Sequence, residues 1–396
     1  MDHRLVSSLE KAFGWDGPVA LGTELARGHI EDEALPGRLL TPNGLLEIVM
    51  RRHLENPQLR MFAEGRMMHP AGFLETFVSR RRQASPRADM NAVGRILNEG
   101  GTIILDTVNQ FDPTLEAACR ALSWWTGEMV SANAYLAVGD TAGFDMHWDD
   151  HDVICVQVAG KKSWEVRSAA RPVPMHRDAE SNTEPPEEVL WSGTMEVGDV
   201  MHIPRGFWHA ATRVGSGGNG FSLHVTFGTT RRTGVSWVQY LADEARSVEL
   251  FRTDLETPDD SQDKILINQL LSLACDVNPQ RYLEKMREAI PAGRHLPYVP
   301  AFGPLAGAAA VTEFAPTITI GVQGLEVRAA GKKLTLSNRA ERWARILLSG
   351  HPVRFDSTTD PAVVRLAERL IQEGLCAQLT DVSFSGYTGL VPTETF

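Results

Sequence analysis

The spacing of apolar residues divides the chain into blocks. Residues 1 to about 90 read as helical and irregular. "TPNGLLEIVMRRHLENP" carries apolar residues at helical spacing, with Pro57 marking the stop. "VSRRRQASPRAD", residues 78–89, reads as a breaker-rich connector, with a basic surface for an acidic partner as the sharper alternative. "GTIILD" reads as a strand. "FDPTLEAACRALSWWTG" reads as a helix with Asp112 as N-cap, Pro113 at the first position and Gly127 past the end. From about 128 to 230 the pattern shortens into strands separated by turn signals: "EMVSANAYLAV", "VICVQVAG", "KSWEVR", "TMEVGDVMHIP" and "NGFSLHVTFGT". Several short strands at close spacing predict a β-sandwich or barrel.

After Thr233 the strands give way to amphipathic helices, "VSWVQYLADEARSVELF", "DKILINQLLSLACDV" and "NPQRYLEKMREAI", the last with Asn278 as N-cap. The last hundred residues return to strands in "TITIGVQGLEVRAAGKKLTL". Two helices follow, one with Asn338 and Glu341 at capping-box spacing, the other running from Asp360 and Pro361 to Gly374. This last block predicts a small α+β unit of winged-helix type.

Length and charge narrow the picture. A chain of 396 residues predicts two or three domains. Its net charge of −11 disfavours a partner gripped through phosphates and favours a basic one. The four cysteines, Cys119, Cys155, Cys275 and Cys376, show no CxxC spacing. Neither a disulfide framework nor a zinc-cysteine site is expected. The N-terminus has no apolar h-region and the chain no run of about 18 apolar residues, so a cytoplasmic protein is expected.

The candidate chemistry lies in "HWDDHDVICVQVAGKKSW", residues 147–164. On an extended chain His147 and Asp149 point to the same side and can converge on one ion. With a second histidine they make the facial triad of non-haem Fe(II) oxygenases. "GDVMHIPRGFWH" supplies that histidine: a turn, a strand, a second turn shaped by Pro204 and Gly206, and His209 at the start of the next strand. The spacing is similar to the second motif of the cupin superfamily, although Arg213 stands where that motif places an asparagine. His151, His176 and His202 read as loop or supporting residues.

Strand parity adds a polar cavity. Lys162 shares parity with Trp164 and Val166, opposite Ser163, Glu165 and Arg167. If the polar set faces water, Lys162 faces inward and needs a partner, which a bound dicarboxylate would supply; otherwise it snorkels out at the strand edge. Asn133 and Tyr135 share one face of their strand and Ala132, Ala134 and Leu136 the other. His224 and Thr226 are likewise two residues apart.

The set Asn133-x-Tyr135, His147-x-Asp149-Asp150, "VQVAGKKSW", "IPRGFWH" and "LHVT" resembles the JmjC-type ribosomal oxygenases, most specifically over residues 90–232. The resemblance implies a mainly β fold with α elements. A double-stranded β-helix (a cupin/JmjC jelly roll) with an N-terminal helical elaboration would span 1–232, a helical dimerisation segment 233–295 and a winged-helix-like block 296–396. It also implies Fe(II) on His147, Asp149 and His209, and 2-oxoglutarate as cosubstrate, its distal carboxylate on Lys162 with Tyr135, Thr226 and Asn133 beside it. Dioxygen is the oxidant and succinate a product. The expected activity is hydroxylation of an arginyl or histidyl side chain in a basic ribosomal protein by a homodimer. The expectation includes no membrane association and no direct grip on nucleic acid. A hydroxylase of a free amino acid or biosynthetic peptide, and a non-catalytic cupin-like binding protein, are the alternatives. The acidic loop 175–189 is a solvated loop on the plain reading and a rim for a basic peptide on the sharper one.

Overall fold

The computed structural model describes residues 1–138, 145–175, 183–212, 220–255 and 260–395. Two sheets face each other. Strands β1 (Ala26–His29), β2 (Leu59–Ala63) and β3 (Arg66–Met67) come from the N-terminal block. β4 (Leu74–Val78) and β5 (Ala84–Ala88) form a separate hairpin. Then come β6 (Thr102–Leu105), β7 (Val130–Ala137), β8 (Asp152–Gly160), β9 (Lys162–Arg167), β10 (Val189–Met195), β11 (Asp199–Ile203), β12 (Trp208–Thr212) and β13 (Ser222–Thr229). The large sheet runs β1-β11-β8-β13-β7-β6-β2-β3 and the small one β10-β9-β12. This is the β-rich, cupin-type architecture expected, with helices packed outside it.

The apolar runs follow from having cover on both sides. In β8, Ile154, Val156 and Val158 face the main core, which also holds Leu115, Ala118 and Leu122 of the helix Pro113–Thr126. Val153 and Cys155 face the small sheet, with Trp164, Val166 and Met201. A strand covered on both faces has no reason to alternate, and each large side chain buried this way contributes roughly 1.5–3 kcal/mol. In β9 one face is covered and one is wet, so burial alternates along Lys162–Arg167. The helix Pro113–Thr126 is capped as its sequence predicts: the Asp112 carboxylate accepts from the Thr114 and Leu115 N–H groups, and Gly127 closes it at φ +68°.

Several elements differ from the sequence expectation. "TMEVGDVMHIP" is two strands in two different sheets, β10 and β11, parted by the turn at Gly198 (φ +91°). The breaker-rich stretch 78–89 is the tip and second strand of the β4–β5 hairpin, because Leu74–Val78 offers it a partner edge. Asn338 caps nothing; Ser337 accepts from the Arg339 N–H, and a short 3₁₀ turn precedes the helix Glu341–Leu347.

Beyond the sheets, Leu241, Val277 and Tyr282 seed a small core among the helices Gly234–Ala245, Asp260–Asp276 and Pro279–Ala289. A third core gathers residues of the last block, from Leu305 to Cys376. The final segment returns to the first: Tyr387, Leu390 and Val391 join the main core, and the buried Arg120 donates to the Tyr387 hydroxyl at 3.0 Å. No helix among the described residues is long and apolar enough to cross a membrane.

Candidate metal centre

His147 precedes β8 and His209 lies in β12, yet their backbones are locked together. The His147 N–H donates to the His209 carbonyl at 3.1 Å, and the His209 N–H donates back at 2.7 Å, an isolated antiparallel bridge. A second pin sits two residues on, where the Gly206 N–H donates to the Asp149 carbonyl at 2.9 Å. Gly206 holds φ +85°, and a Cβ there would fall 2.3 Å from Pro174. Only glycine makes this turn without strain.

These pins bring His147, Asp149 and His209 together so that one ligand atom from each lies within 4.8 Å of the others. The rings are oriented by their own loops. His147 Nδ1 lies 2.8 Å from the Asp145 carbonyl and His209 Nδ1 lies 3.0 Å from that of Phe207. A carbonyl accepts only from N–H, so Nδ1 carries the proton and Nε2 presents its lone pair, the arrangement that orients metal-ligating histidines. Asp149 Oδ2 lies 3.5 Å from His209 Nε2. Burial, and then the neighbouring His147, pushes the His209 pKa down to about 4, which keeps the imidazole neutral as a ligand must be. Two neutral imidazoles and one carboxylate on one side of a space are a donor set suited to a divalent transition metal.

The three residues open onto a cavity of about 280 Å³ between the two sheets. That is the small end of the range for ligand pockets, about 300–1,000 Å³. Lys162 lies inside it, 4% exposed, so the inward parity holds and the snorkelling alternative does not. The turn Gly160 (φ +64°) starts β9 at the register that sends Lys162 inward, and a Cβ at Gly160 would meet the Phe221 carbonyl oxygen at 1.8 Å.

Asn133, Tyr135 and Thr226 line the same cavity, with Ala132, Ala134 and Leu136 turned into the core as parity requires. Asn133 also spends its side-chain oxygen on the Thr107 N–H at 2.8 Å, so it secures the wall as well as lining it. Burial raises the Tyr135 pKa well above its ordinary value, so the phenol stays protonated. Thr226 is 3.7 Å from Cys155 Sγ; burial pushes that thiol up to about 12, and it stays a neutral wall residue.

His202 points away from the cavity, with Nδ1 against the Glu24 carbonyl and Nε2 accepting from the Gly22 N–H. His151 lines the cavity but is not part of the cluster. His176 and Arg213 lie outside the described residues. One charged cavity residue, Arg60, escaped sequence reasoning. Arg60 comes from β2 in the N-terminal block and is held by Asp106 at 2.8 Å through both carboxylate oxygens. His224 was legible only as a polar residue at the same parity as Thr226.

Residues 107–235 match the JmjC domain family. This segment, about a third of the chain, is similar to a JmjC domain. It contains His147, Asp149, Lys162, His209 and the strands that carry them. Among curated proteins, ribosomal oxygenase 1 of Gallus gallus is 31% identical over 166 residues, covering 39% of this chain and 27% of that protein. The bifunctional lysine-specific demethylase and histidyl-hydroxylase NO66 of Caenorhabditis briggsae is 27% identical over 212 residues, 52% of this chain and 25% of that protein. The chain thus spans about a quarter of the length of these relatives. Among solved structures, Escherichia coli YcfD matches over 95% of this chain and 99% of its own, with a TM-score of 0.53 at 15% identity. A second structure, of YcfD described as a ribosomal oxygenase in complex with cobalt and 2-oxoglutarate, matches 85% of this chain and 90% of its own, with a TM-score of 0.51 at 16% identity. At such identities the likeness to YcfD is one of fold, and it reaches beyond the JmjC domain into the helices and the last block.

Proposed function

We propose that this chain is an Fe(II)- and 2-oxoglutarate-dependent dioxygenase that hydroxylates a protein side chain, an arginine or histidine of a ribosomal protein. The observation that carries the reading is the convergence of His147, Asp149 and His209 on a small cavity that also buries Lys162. Relatives named as ribosomal oxygenase and histidyl-hydroxylase support the substrate class.

In this reading His147, Asp149 and His209 would hold the metal. Iron with 2-oxoglutarate and dioxygen supplies the oxidising chemistry, and the protein supplies orientation and exclusion of water. Lys162 neutralises the far carboxylate through a charge-assisted contact. The Tyr135 hydroxyl, protonated at any working pH, and the Thr226 hydroxyl offer donors along the wall. Asp149, itself a ligand, is fixed through its backbone by Gly206, so the site is organised before anything binds.

Basic substrates suit the net charge of −11 and the exposed Glu184, Glu187 and Glu188 in the acidic loop between β9 and β10. Positions 176–182 of that loop lie outside the described residues. The test is mass spectrometry of ribosomal proteins from cells with and without the gene, and of a candidate peptide treated with the iron-loaded protein. The expected result is an oxygen added to one side chain, with one succinate formed per hydroxylation. Iron-dependent binding with no turnover on any ribosomal peptide would sink it.

We further read 233–295 as a dimerisation segment, 296–396 as a winged-helix-like block and the protein as cytoplasmic. The helix Asp260–Asp276 leaves Ile267, Leu270 and Leu271 exposed at helical spacing, at 57%, 45% and 59%. An apolar stripe of this kind marks a protein contact. Leu271→Asp together with Ile267→Asp should convert a dimer into a folded monomer in light scattering. A wild-type protein that is monomeric at micromolar concentration would refute the assignment.

A further inference from the structure

Lys162 supplies one positive charge to a carboxylate that has two oxygens and about four lone-pair sites. Beside the Tyr135 and Thr226 hydroxyls, a further directional donor on the same wall would hold the group better. His224 stands where such a donor belongs. It lies in the middle of β13, paired in register with Tyr135 on β7. Its ring stacks on the Tyr135 phenol at 4.7 Å with 5° between the planes, and meets the edge of Trp164 at 5.3 Å. These two contacts fix the imidazole plane from both sheets.

The ring is 4% exposed, and among the described residues neither of its nitrogens has a hydrogen-bond partner. Buried polar groups are almost always satisfied, and an exception calls for an explanation. Nδ1 is sealed off from solvent as well, so Nε2 is the nitrogen left to meet the cavity. Burial, reinforced by the positive charge of Lys162, keeps the imidazole neutral, with one N–H to give.

We propose that His224 is a cosubstrate-binding residue: its Nε2–H donates to the carboxylate that Lys162 neutralises, so that the ammonium provides charge and the imidazole provides direction. This assignment rests on the 2-oxoglutarate reading above. The stack on Tyr135 holds the donor in a fixed plane, which reduces the ordering cost of binding. It also gives the cavity-facing Nε2 of this buried ring a partner, the ligand, while Nδ1 stays unprotonated and apolar-packed.

The test separates the nitrogen from the ring. Cobalt(II)-loaded protein is titrated with 2-oxoglutarate and with succinate by calorimetry, while cobalt affinity and the melting temperature are followed separately. His224→Phe keeps the ring and its stack but has no N–H, and should weaken both dicarboxylates about tenfold, the loss expected for one hydrogen bond to a charged group. His224→Gln keeps a donor without the ring and should stay within about threefold of wild type. Cobalt affinity should be unchanged in both. A purely structural role predicts the reverse order, with Phe harmless and Gln damaging, and that result overturns the assignment, as does equal binding by all three. Wild-type protein that takes cobalt but no 2-oxoglutarate overturns the cosubstrate reading itself, and this assignment with it.

Discussion

His147→Ala should reduce Fe(II) or Co(II) affinity by at least about 100-fold and bring conversion of 2-oxoglutarate to succinate down to background. Loss of an outer partner of a metal ligand already costs 10–100-fold, and here a ligand itself is removed. The backbone bridge between His147 and His209 uses no side-chain atoms, so it survives the substitution and the fold should hold. The effect is then chemical and not one of unfolding. Asp149→Ala and His209→Ala should behave alike. His151→Ala is the contrast: it stands two residues from Asp149 and lines the same cavity, but it is not among the three converging groups. It should retain cobalt binding within a few-fold. Cobalt titration by absorption, with succinate measured in parallel, distinguishes these outcomes. Wild-type metal affinity in His147→Ala would remove the triad from consideration.

Lys162→Met should raise the 2-oxoglutarate concentration needed for half-saturation by roughly 100-fold or more. Removing one partner of a buried ion pair costs about 3–5 kcal/mol, and each 1.4 kcal/mol is tenfold. Methionine has similar length and no charge, so it fills the space beside Trp164 and leaves the distal carboxylate without a counter-charge in a sealed site. Lys162→Arg keeps the charge and should retain most of the affinity. Metal binding should be unaffected in both, since Lys162 is not one of the three converging groups. An unchanged requirement for 2-oxoglutarate in Lys162→Met would show that the lysine serves packing alone.

Much of this site was legible because its residues obey local rules. Residues two apart on a strand share a face, so His147 with Asp149, Asn133 with Tyr135, and Lys162 with Trp164 each fell on one side without knowledge of the fold. Caps were equally local: Asp112 and Gly127 bound their helix as written. Reading failed where a partner is distant. Arg60 sits in "LRMFA", whose burial follows no alternation, and it is a strand only because β6 offers an edge 46 positions on, Leu59 pairing with Leu105. The hairpin at 74–88 failed the same way: its breakers suggested a connector, and cross-strand pairing overruled them.

The chain by itself determined the identity and parity of the chemical groups: two imidazoles, one carboxylate, a lysine on the same strand face as Trp164, and the glycine at 206 that its turn demands. Only the tertiary structure decided which of the many polar residues meet. His147 and His209 are 62 positions apart and become neighbours through two backbone hydrogen bonds. His224 becomes part of the site because its strand lies between β7 and β8, which stacks its ring on Tyr135 and sets it near Lys162. Periodicity fixes the face on which a side chain stands. Strand order and register fix what stands opposite, and these arise from burial of the whole sheet, which no short stretch of sequence encodes.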